Sequence, residues 1–336
     1  MKAVSRYSIK SQTTPWRKGE YGKNWVTKEK ETEKAMKSFI WGSTRVIVCI
    51  AVVASLMMAP PSQASPKKSL KLLWSEEFNG KKGVRPSSKV WAAEIGGGGW
   101  GNSERQYYTD KAANASMDGS GKLVITAQRI SNEYTEQVGT VPGTEDILNR
   151  CSECQFTSAR LKTARKVGFM YGRMEARIKM PQGVGTWPAF WMLGGDLLDG
   201  VPWPECGEID IMEFRGDIPD RSTSALHGPT TPQGSGLGAA FLSYAPLSDG
   251  YHTYAIEWKK NSITFIVDGR VTGTYSAADT GKRGWVYNQE FFLILNLAMG
   301  GTYAGEYIDP ALSQAQLYVD YIRYYSINGV GKVIKN

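Results

Sequence analysis

Hydrophobic and polar residues alternate with a period of two over most of the chain after residue 70, as in half-buried β-strands. Long stretches of helical periodicity are scarce there. The alternation predicts strands over residues 72–78, 90–95, 122–127, 158–162, 172–180, 186–193, 208–214, 251–258, 262–269, 291–297 and 316–325. Glycine and asparagine turns, such as Asp268-Gly269, separate them. The pattern predicts an all-β fold, a two-sheet β-sandwich (jelly roll) with a concave cleft.

One of these strands carries three acids between large apolar residues. In a regular strand Glu208 and Asp210 project to one face, whereas Glu213, five positions after Glu208, projects to the other. A β-bulge at Ile211-Met212 would insert one extra residue and return Glu213 to the side of the other two acids. We therefore expect a bulge there and three carboxyl groups in one cleft.

Three neighbouring carboxyl groups repel one another, so stability alone would not favour this arrangement. A retaining glycosidase requires two carboxyl groups about 5–5.5 Å apart, one as nucleophile and the other as general acid and then base. For so short a pattern taken alone, the alternative is a solvated acidic edge strand. The rest of the chain decides between them.

Charge divides the chain near residue 64. Residues 1–64 hold 11 of the 40 Lys and Arg and 4 of the 32 Asp and Glu, which leaves 29 against 28 in the remainder. The remainder is therefore nearly neutral. This balance argues against a basic binding surface on the folded part, and we expect no nucleic-acid partner.

The apolar run of 14 residues from Val46 to Ala59 resembles the core of a secretory signal that is cleaved after Ala64. It is short for a membrane span of about 20 residues, although an uncleaved anchor is the alternative. Met36 would give the signal an ordinary length, about residues 36–64. We therefore expect a leader over 1–64, a folded domain over 65–336, extracellular localisation, no membrane span after cleavage and a monomer.

Of the 4 cysteines, Cys49 lies in the signal run. Cys151 and Cys154 form a CxxC motif without a second ligand pair or a histidine cluster, which argues against zinc. In an exported domain we expect a short-loop disulfide between them, within a long surface loop over residues 131–155. Cys206 is expected to be a small, buried hydrophobic residue.

Other residues are candidates for sugar contacts. A glycine-rich turn leads into residues 100–108, where polar groups stand beside aromatic rings, with core packing of Tyr107 and Tyr108 as the alternative. Trp187 and Trp191 share a face if the backbone is a strand, either as a binding platform or as core. Arg160 is the cation that we assign to the cleft. His227 is an ordinary core or surface residue unless the fold brings it near Glu213.

Together these segments resemble glycoside hydrolase family 16, and within it the laminarinase-type endo-β-1,3-glucanases, from about Trp74 to Tyr325. The extra residue in the acidic strand is the laminarinase form of the motif, which lichenases and xyloglucan transglycosylases lack. The segments that carry the resemblance occur in the family's order: Trp74-Ser75-Glu76-Glu77-Phe78, Ser158-Ala159-Arg160-Leu161, Trp187-Pro188-Ala189-Phe190-Trp191-Met192-Leu193, residues 207–214, Leu226-His227-Gly228-Pro229 and Val319-Asp320-Tyr321-Ile322-Arg323.

The resemblance implies that Glu208 is the nucleophile, Glu213 the acid/base and Asp210 a helper between them. It implies no catalytic cofactor, but a structural calcium ion held by Glu77, Gly121 and Asp320. The substrate contacts that it implies are Asn102, Arg160, Trp187, Trp191, Trp203 and His227. The chain departs from many relatives at Thr302-Tyr303, where they have Trp, so one subsite contact stays open.

The implied function is that of a secreted retaining endo-β-1,3-glucanase that hydrolyses laminarin-like or mixed-linkage β-glucan by double displacement. Its partner would be the polysaccharide. One alternative is a non-catalytic β-glucan-binding lectin on the same sandwich, although such relatives lose the catalytic glutamates that are present here. The other is a hydrolase of the same fold that acts on another polysaccharide, such as a galactan.

Overall fold

A computed structural model of the chain describes residues 68–130, 150–232, 236–281 and 283–335. The predicted leader and most of the predicted 131–155 loop lie outside these residues and stay predictions. The described residues belong to a compact unit that runs from Ala64 to Asn336. Within them, no helix has the length and apolar character needed to cross a membrane.

The described residues form two sheets, which we call sheet A and sheet B. Sheet A contains ten strands, and sheet B contains nine. The strands of sheet A are β1 (Leu70–Glu76), β3 (Gln106–Tyr108), β4 (Ala115–Met117), β5 (Leu123–Arg129), β6 (Phe156–Ser158), β9 (Gly172–Lys179), β14 (His252–Lys259), β15 (Ser262–Val267), β16 (Arg270–Ser276) and β18 (Gln314–Ile327). Those of sheet B are β2 (Ala92–Glu94), β7 (Arg160–Lys162), β8 (Val167–Met170), β10 (Thr186–Gly194), β11 (Glu208–Phe214), β12 (Arg221–His227), β13 (Leu237–Leu242), β17 (Phe291–Met299) and β19 (Lys332–Lys335). Short helices span Gly195–Asp199, Ala277–Thr280 and Gly301–Ala304.

Strand order does not follow the chain. Sheet A runs β16-β15-β14-β9-β18-β5-β6-β3, with β1 on β18 and β4 on β5. Sheet B runs β13-β12-β11-β10-β17-β7-β2, with β8 between β17 and β19. Apart from the parallel pair of β3 and β6, the pairs are antiparallel. The predicted all-β, two-sheet sandwich is confirmed.

The inner faces of both sheets share one hydrophobic core. Strand β9 shows how the sequence builds it, because its residues alternate between buried and half-exposed along the strand. The even-numbered residues face the core, and the odd-numbered residues, all charged, lie on the outer face of sheet A. The period of two in the sequence is therefore the alternation between core and surface.

Strand prediction succeeded best where both faces are constrained. The limits of β11 are those predicted, whereas β3, β4, β8, β12, β13, β16 and β19 were not predicted, and the single predicted strand over 158–162 is divided between β6 and β7. Strands β13 and β16 lie at one edge of sheet B and sheet A, respectively, and both contain glycine. An edge strand pairs on one side only and needs less regular alternation, so its sequence signal is weak.

The predicted disulfide between Cys151 and Cys154 is confirmed, with Cα atoms 5.3 Å apart. The prediction of a surface loop is wrong at its end, because both cysteines and Gln155 are buried. A Cβ atom on Gly97 would lie 2.5 Å from Cys151 Sγ, so glycine is needed where the turn approaches the disulfide. Cys206 is a free, buried cysteine, as predicted.

Candidate active site

The predicted β-bulge in β11 is confirmed. Asp210 pairs with Ala225 and Glu213 with Thr223 of β12, so two residues of β11 lie opposite the single residue Ser224. The pairing of β11 with β10 shifts at the same point. The extra residue changes the parity of the strand, and therefore Glu213 lies on the same face as Glu208 and Asp210.

The residues of the bulge explain why it is stable. Ile211 and Met212 are consecutive, yet both are buried in the core. Because the bulge interrupts the ladder of backbone hydrogen bonds, the Ile211 carbonyl needs another partner. The hydroxyl of Ser224 donates to that carbonyl oxygen at 2.9 Å.

Replacing Ser224 by Ala is expected to lower the free energy of unfolding by about 1–3 kcal/mol, because it removes the donor to a buried carbonyl. Urea unfolding followed by fluorescence measures the change. Ser88→Ala serves as a control, because Ser88 is exposed. Equal unfolding midpoints for the two variants would show that the hydroxyl of Ser224 does not stabilise the bulge.

A cavity of about 810 Å³ lies over the acidic face of β11. All three acids border it, and so do all six residues predicted to contact substrate. In β10, Trp187 and Trp191 border the cavity, whereas Phe190 and Met192 face the core and are fully buried. The residues that border the cavity include Asn102, Arg160, Trp187, Trp191, Trp203, Glu208, Asp210, Glu213 and His227.

Glu208 lies among polar groups that stabilise a carboxylate. The indole N–H of Trp203 donates to Glu208 Oε2 at 2.7 Å. The carboxyl groups of Glu208 and Asp210 are hydrogen-bonded to each other. His227 stands opposite Glu208 in β12, and its Nε2 lies 3.2 Å from Asp210 Oδ2. His227 therefore belongs to the site, although its contact is with Asp210 rather than with Glu213.

Glu213 has a different environment, made by aromatic side chains. The indole N–H of Trp187 donates to Glu213 Oε1 at 3.1 Å. The ring of Tyr303 lies 5.1 Å from that of Trp187, and its hydroxyl lies 2.5 Å from Thr223 Oγ1. Tyr303 also borders the cavity, so the position that departs from many relatives still presents an aromatic ring to the cleft.

Burial raises the pKa of all three carboxyl groups, because a charged carboxylate loses hydration in the cleft. The pKa of Glu213 rises to about 7 through burial and the charge of Glu208, against the Trp187 hydrogen bond, which lowers it. The pKa values of Glu208 and Asp210 rise well above their usual range, through burial and then through repulsion from Asp210 and Glu213, respectively. Hydrogen-bonded to each other, Glu208 and Asp210 can share one proton between them.

This arrangement separates two chemical roles. Glu213 can hold a proton near neutral pH and release it to a substrate. The indole N–H of Trp203 partly opposes the rise in the pKa of Glu208, and Glu208 can act as a nucleophile when the proton between the two carboxyl groups lies on Asp210. The predicted roles of Glu208, Asp210 and Glu213 agree with this geometry and stay predictions.

Arg160 forms part of another wall of the cavity. Its Nε lies 2.5 Å from Glu94 Oε2, and its guanidinium carbon lies 4.9 Å from the ring centroid of Trp100 and 4.8 Å from that of Trp191. A cation held between two indole rings is stabilised by both π-systems. The prediction that Arg160 faces the cleft is confirmed.

Sequence reasoning included Glu104 only within the segment 100–108, and it did not identify Asn296, Thr223 or Arg221, although all four border the cavity. Asn296 accepts a hydrogen bond from Trp191 Nε1 at 2.7 Å. Its signal in the sequence was available, since it is the single polar residue in the buried run of β17. A buried polar residue in an apolar strand needs a partner and is a good candidate for a site.

The residues predicted to hold calcium lie elsewhere, in or next to strands of sheet A. Both oxygens of Glu77 accept from Arg323, at 2.9 Å each, and Asp320 Oδ2 accepts from Arg177 at 2.6 Å. Carboxylates that are paired with guanidinium groups do not form an open set of oxygen donors. These contacts do not fit a calcium site, and the calcium ion stays a prediction.

Potential metal ligands among His, Cys, Asp and Glu come together at two places in the described residues. The first group is Cys151, Glu153 and Cys154, in which the two cysteine sulfurs are already bonded to each other in the disulfide. The second group is Glu208, Asp210 and His227 of the acidic cluster, whose ligand atoms lie within 4.8 Å of one another.

Comparison with known proteins gives consistent matches. The model of the family "Glycosyl hydrolases family 16" matches residues 102–323. A beta-glucanase of Rhodothermus marinus is 34% identical over 291 residues, which cover 84% of this chain and 93% of the relative. A glucan endo-1,3-beta-glucosidase of Cryptopygus antarcticus is 36% identical over 270 residues, which cover 76% and 92%. The crystal structure of the laminarinase from Rhodothermus marinus superposes with a TM-score of 0.66 at 36% identity, covering 78% of this chain and 99% of that chain.

Proposed function

The chain belongs to glycosyl hydrolases family 16 and is a glycoside hydrolase, and on that premise we propose that it is a retaining endo-β-1,3-glucanase. Its substrates are laminarin-like or mixed-linkage β-glucans. The single observation that carries the proposal is the presence of Glu208 and Glu213, in unlike environments, on one face of β11. Relatives with names that specify a β-glucan as substrate support the choice of sugar.

In the first step Glu208 attacks the anomeric carbon while Glu213 gives its proton to the glycosidic oxygen. The bond between the anomeric carbon and that oxygen breaks, and the reducing-end part of the chain leaves as an alcohol. A pKa of about 7 lets Glu213 keep its proton until that moment. The indole N–H of Trp203 orients the attacking carboxylate of Glu208.

In the second step Glu213, now a carboxylate, takes a proton from a water molecule that attacks the anomeric carbon. The ester bond to Glu208 breaks, and Glu208 leaves as a carboxylate. Asp210 and His227 lie beside Glu208 and accommodate the change in its charge, because the proton between the carboxyl groups of Glu208 and Asp210 can move from one to the other. Two inversions at the same carbon give net retention.

The walls of the cavity suit a neutral polysaccharide. Indole and phenol rings from Trp187, Trp191, Trp203 and Tyr303 border it, and flat apolar sugar faces pack on such rings. On the side of β13 the wall is made of small residues, which leaves room for a sugar chain in the cleft. This combination favours internal cleavage of a long substrate.

A substrate panel of laminarin, lichenan, agarose and xyloglucan tests the choice of polysaccharide. We expect hydrolysis of laminarin and of lichenan, with mixtures of oligosaccharides as early products. Cleavage of agarose alone would instead establish a galactan hydrolase of the same fold. Binding of laminarin without any hydrolysis would contradict the enzymatic proposal.

The mechanism predicts that the first product released from laminarin is the β-anomer. Proton NMR during the first minutes of reaction distinguishes it from the α-anomer, before mutarotation mixes the two. A β-signal that appears first is the expected result, because two displacements retain the configuration. An initial α-signal would exclude Glu208 as a nucleophile that forms a covalent intermediate.

A further inference from the structure

Glu104 is a buried acid that borders the cavity and takes no part in the two chemical steps. Only 4% of the residue is exposed, so the carboxyl group has little contact with water. It stands two residues before β3, on the wall that also contains Asn102 and Arg160. A buried carboxyl group requires hydrogen-bond or ionic partners, because charged groups are rarely buried without them.

Three donors surround the carboxyl group of Glu104. Asn102 Nδ2 donates to Oε1 at 3.2 Å, Gln106 Nε2 donates to Oε2 at 2.5 Å, and the hydroxyl of Tyr108 donates to Oε2 at 3.2 Å. All three donors are neutral. Burial raises the pKa of Glu104 above its usual value, and the three hydrogen bonds and the nearby positive charge of Arg160 oppose that rise.

The direction of these hydrogen bonds is fixed by groups that can only donate. The backbone N–H of Met299 donates to Gln106 Oε1 at 2.8 Å, so the other end of that amide, Nε2, must face Glu104 as a donor. Glu104 therefore has to accept at Oε2.

The hydroxyl of Tyr108 is also fixed as a donor to Glu104. The indole N–H of Trp191 donates to Asn296 Oδ1, and Asn296 Nδ2 then donates to the oxygen of Tyr108 at 3.1 Å. The hydroxyl hydrogen of Tyr108 is left to point at Glu104. Both groups that contact Oε2 therefore donate, so this oxygen carries no proton, and its environment favours the ionised form of Glu104.

The network ends at two residues that face the cavity. One is Asn102, whose amide is held by Glu104 directly, and the other is Trp191, whose indole N–H is tied to Glu104 through Asn296 and Tyr108. The ring of Trp191 also lies against Arg160. One carboxylate therefore holds an amide and an indole that border the same wall.

We infer that Glu104 is a positioning residue, an ionised anchor that fixes Asn102 and Trp191 in the orientation that binds the glucan chain. The inference deepens the proposed function and rests on it for its kinetic readout. Glu104 itself touches no reacting atom. It is expected to act on substrate affinity rather than on the chemical steps.

Glu104→Gln tests the inference, because it keeps the shape but turns one acceptor oxygen into a donor that faces other donors. We expect KM for laminarin oligosaccharides to rise about tenfold, which corresponds to about 1.4 kcal/mol, with kcat changed less than about twofold. The matched control is Glu257→Gln. Glu257 is also a buried carboxylate, paired with Lys68 and Arg173, but it does not border the cavity.

A second readout needs no substrate. In ¹⁵N–¹H NMR spectra, the indole signal of Trp191, assigned with Trp191→Phe, should shift in Glu104→Gln and in Tyr108→Phe, but not in Glu257→Gln. Tyr108→Phe removes only the hydroxyl that joins the two halves of the network, so it gives an answer even if Glu104→Gln does not fold.

The outcomes of these experiments distinguish the positioning role of Glu104 from the proposed function of the protein. An unmoved Trp191 signal in both variants, or a fall in melting temperature with KM unchanged, would overturn the positioning role and leave Glu104 as part of the scaffold. A wild-type protein that neither binds nor cleaves any β-glucan would contradict the proposed function. The shift of the Trp191 signal would still decide whether Glu104 holds that indole.

Discussion

Glu208→Gln is expected to lower kcat on laminarin by about four orders of magnitude or more, while binding of laminarin oligosaccharides persists. The amide cannot form the covalent intermediate, so only binding and the remaining polar groups of the cleft assist the reaction. The substitution keeps the size of the side chain, and its amide oxygen can still accept from the indole N–H of Trp203. Reducing-sugar release and calorimetric titration measure the two quantities.

Glu205→Gln is the matched control for this experiment. Glu205 lies three residues before Glu208, is exposed and does not border the cavity. It should keep the activity of the wild type. If Glu208→Gln retained more than about one hundredth of the wild-type kcat in a sample free of wild-type enzyme, another group would have to be the nucleophile.

Glu213→Gln is expected to lower kcat on laminarin by about 10²–10⁴-fold, because the leaving alcohol loses its proton donor and the water its base. An aryl β-glucoside oligomer with an acidic phenol as leaving group needs no protonation. With that substrate the release of the first phenol should continue and then stop, since the second step still lacks its base. Equal losses with both substrates would remove Glu213 from the acid/base role.

The same group sets a pH dependence for the wild type. The acid role requires protonated Glu213, so kcat/KM should fall as pH rises through about 7. Trp187 donates to Glu213 and lowers that pKa, so Trp187→Phe should move the alkaline midpoint to higher pH. The midpoint, rather than the absolute rate, is the quantity to compare, because Trp187 also borders the cavity. A midpoint at or below that of the wild type would assign the alkaline limb to another group.

The residues around the acids show which contacts the sequence predicts and which it does not. Trp203 and His227 were predicted to contact substrate, and the structure places them beside Glu208 and Asp210 as well. The position of Trp203 close to the acids follows from its place just before β11, whereas no pattern in the chain indicates the contact of His227 with Asp210, because β11 and β12 come together only through strand pairing. Parity within one strand is a local property, whereas the partner of a side chain across the sheet is not.

The sequence by itself determined the all-β class, the limits of β11, the bulge and the three acids that the bulge brings to one face. Each of these follows from the two-residue period of a strand and from one inserted residue, which are properties of neighbours in the chain. The tertiary structure alone decided the strand order, the contact of His227 with Asp210, and the network that ties Glu104 to Trp191. Those features depend on groups far apart in sequence, such as Tyr108 and Asn296, which burial brings within hydrogen-bond distance. Their energies arise from desolvation in the folded state, which no local pattern records.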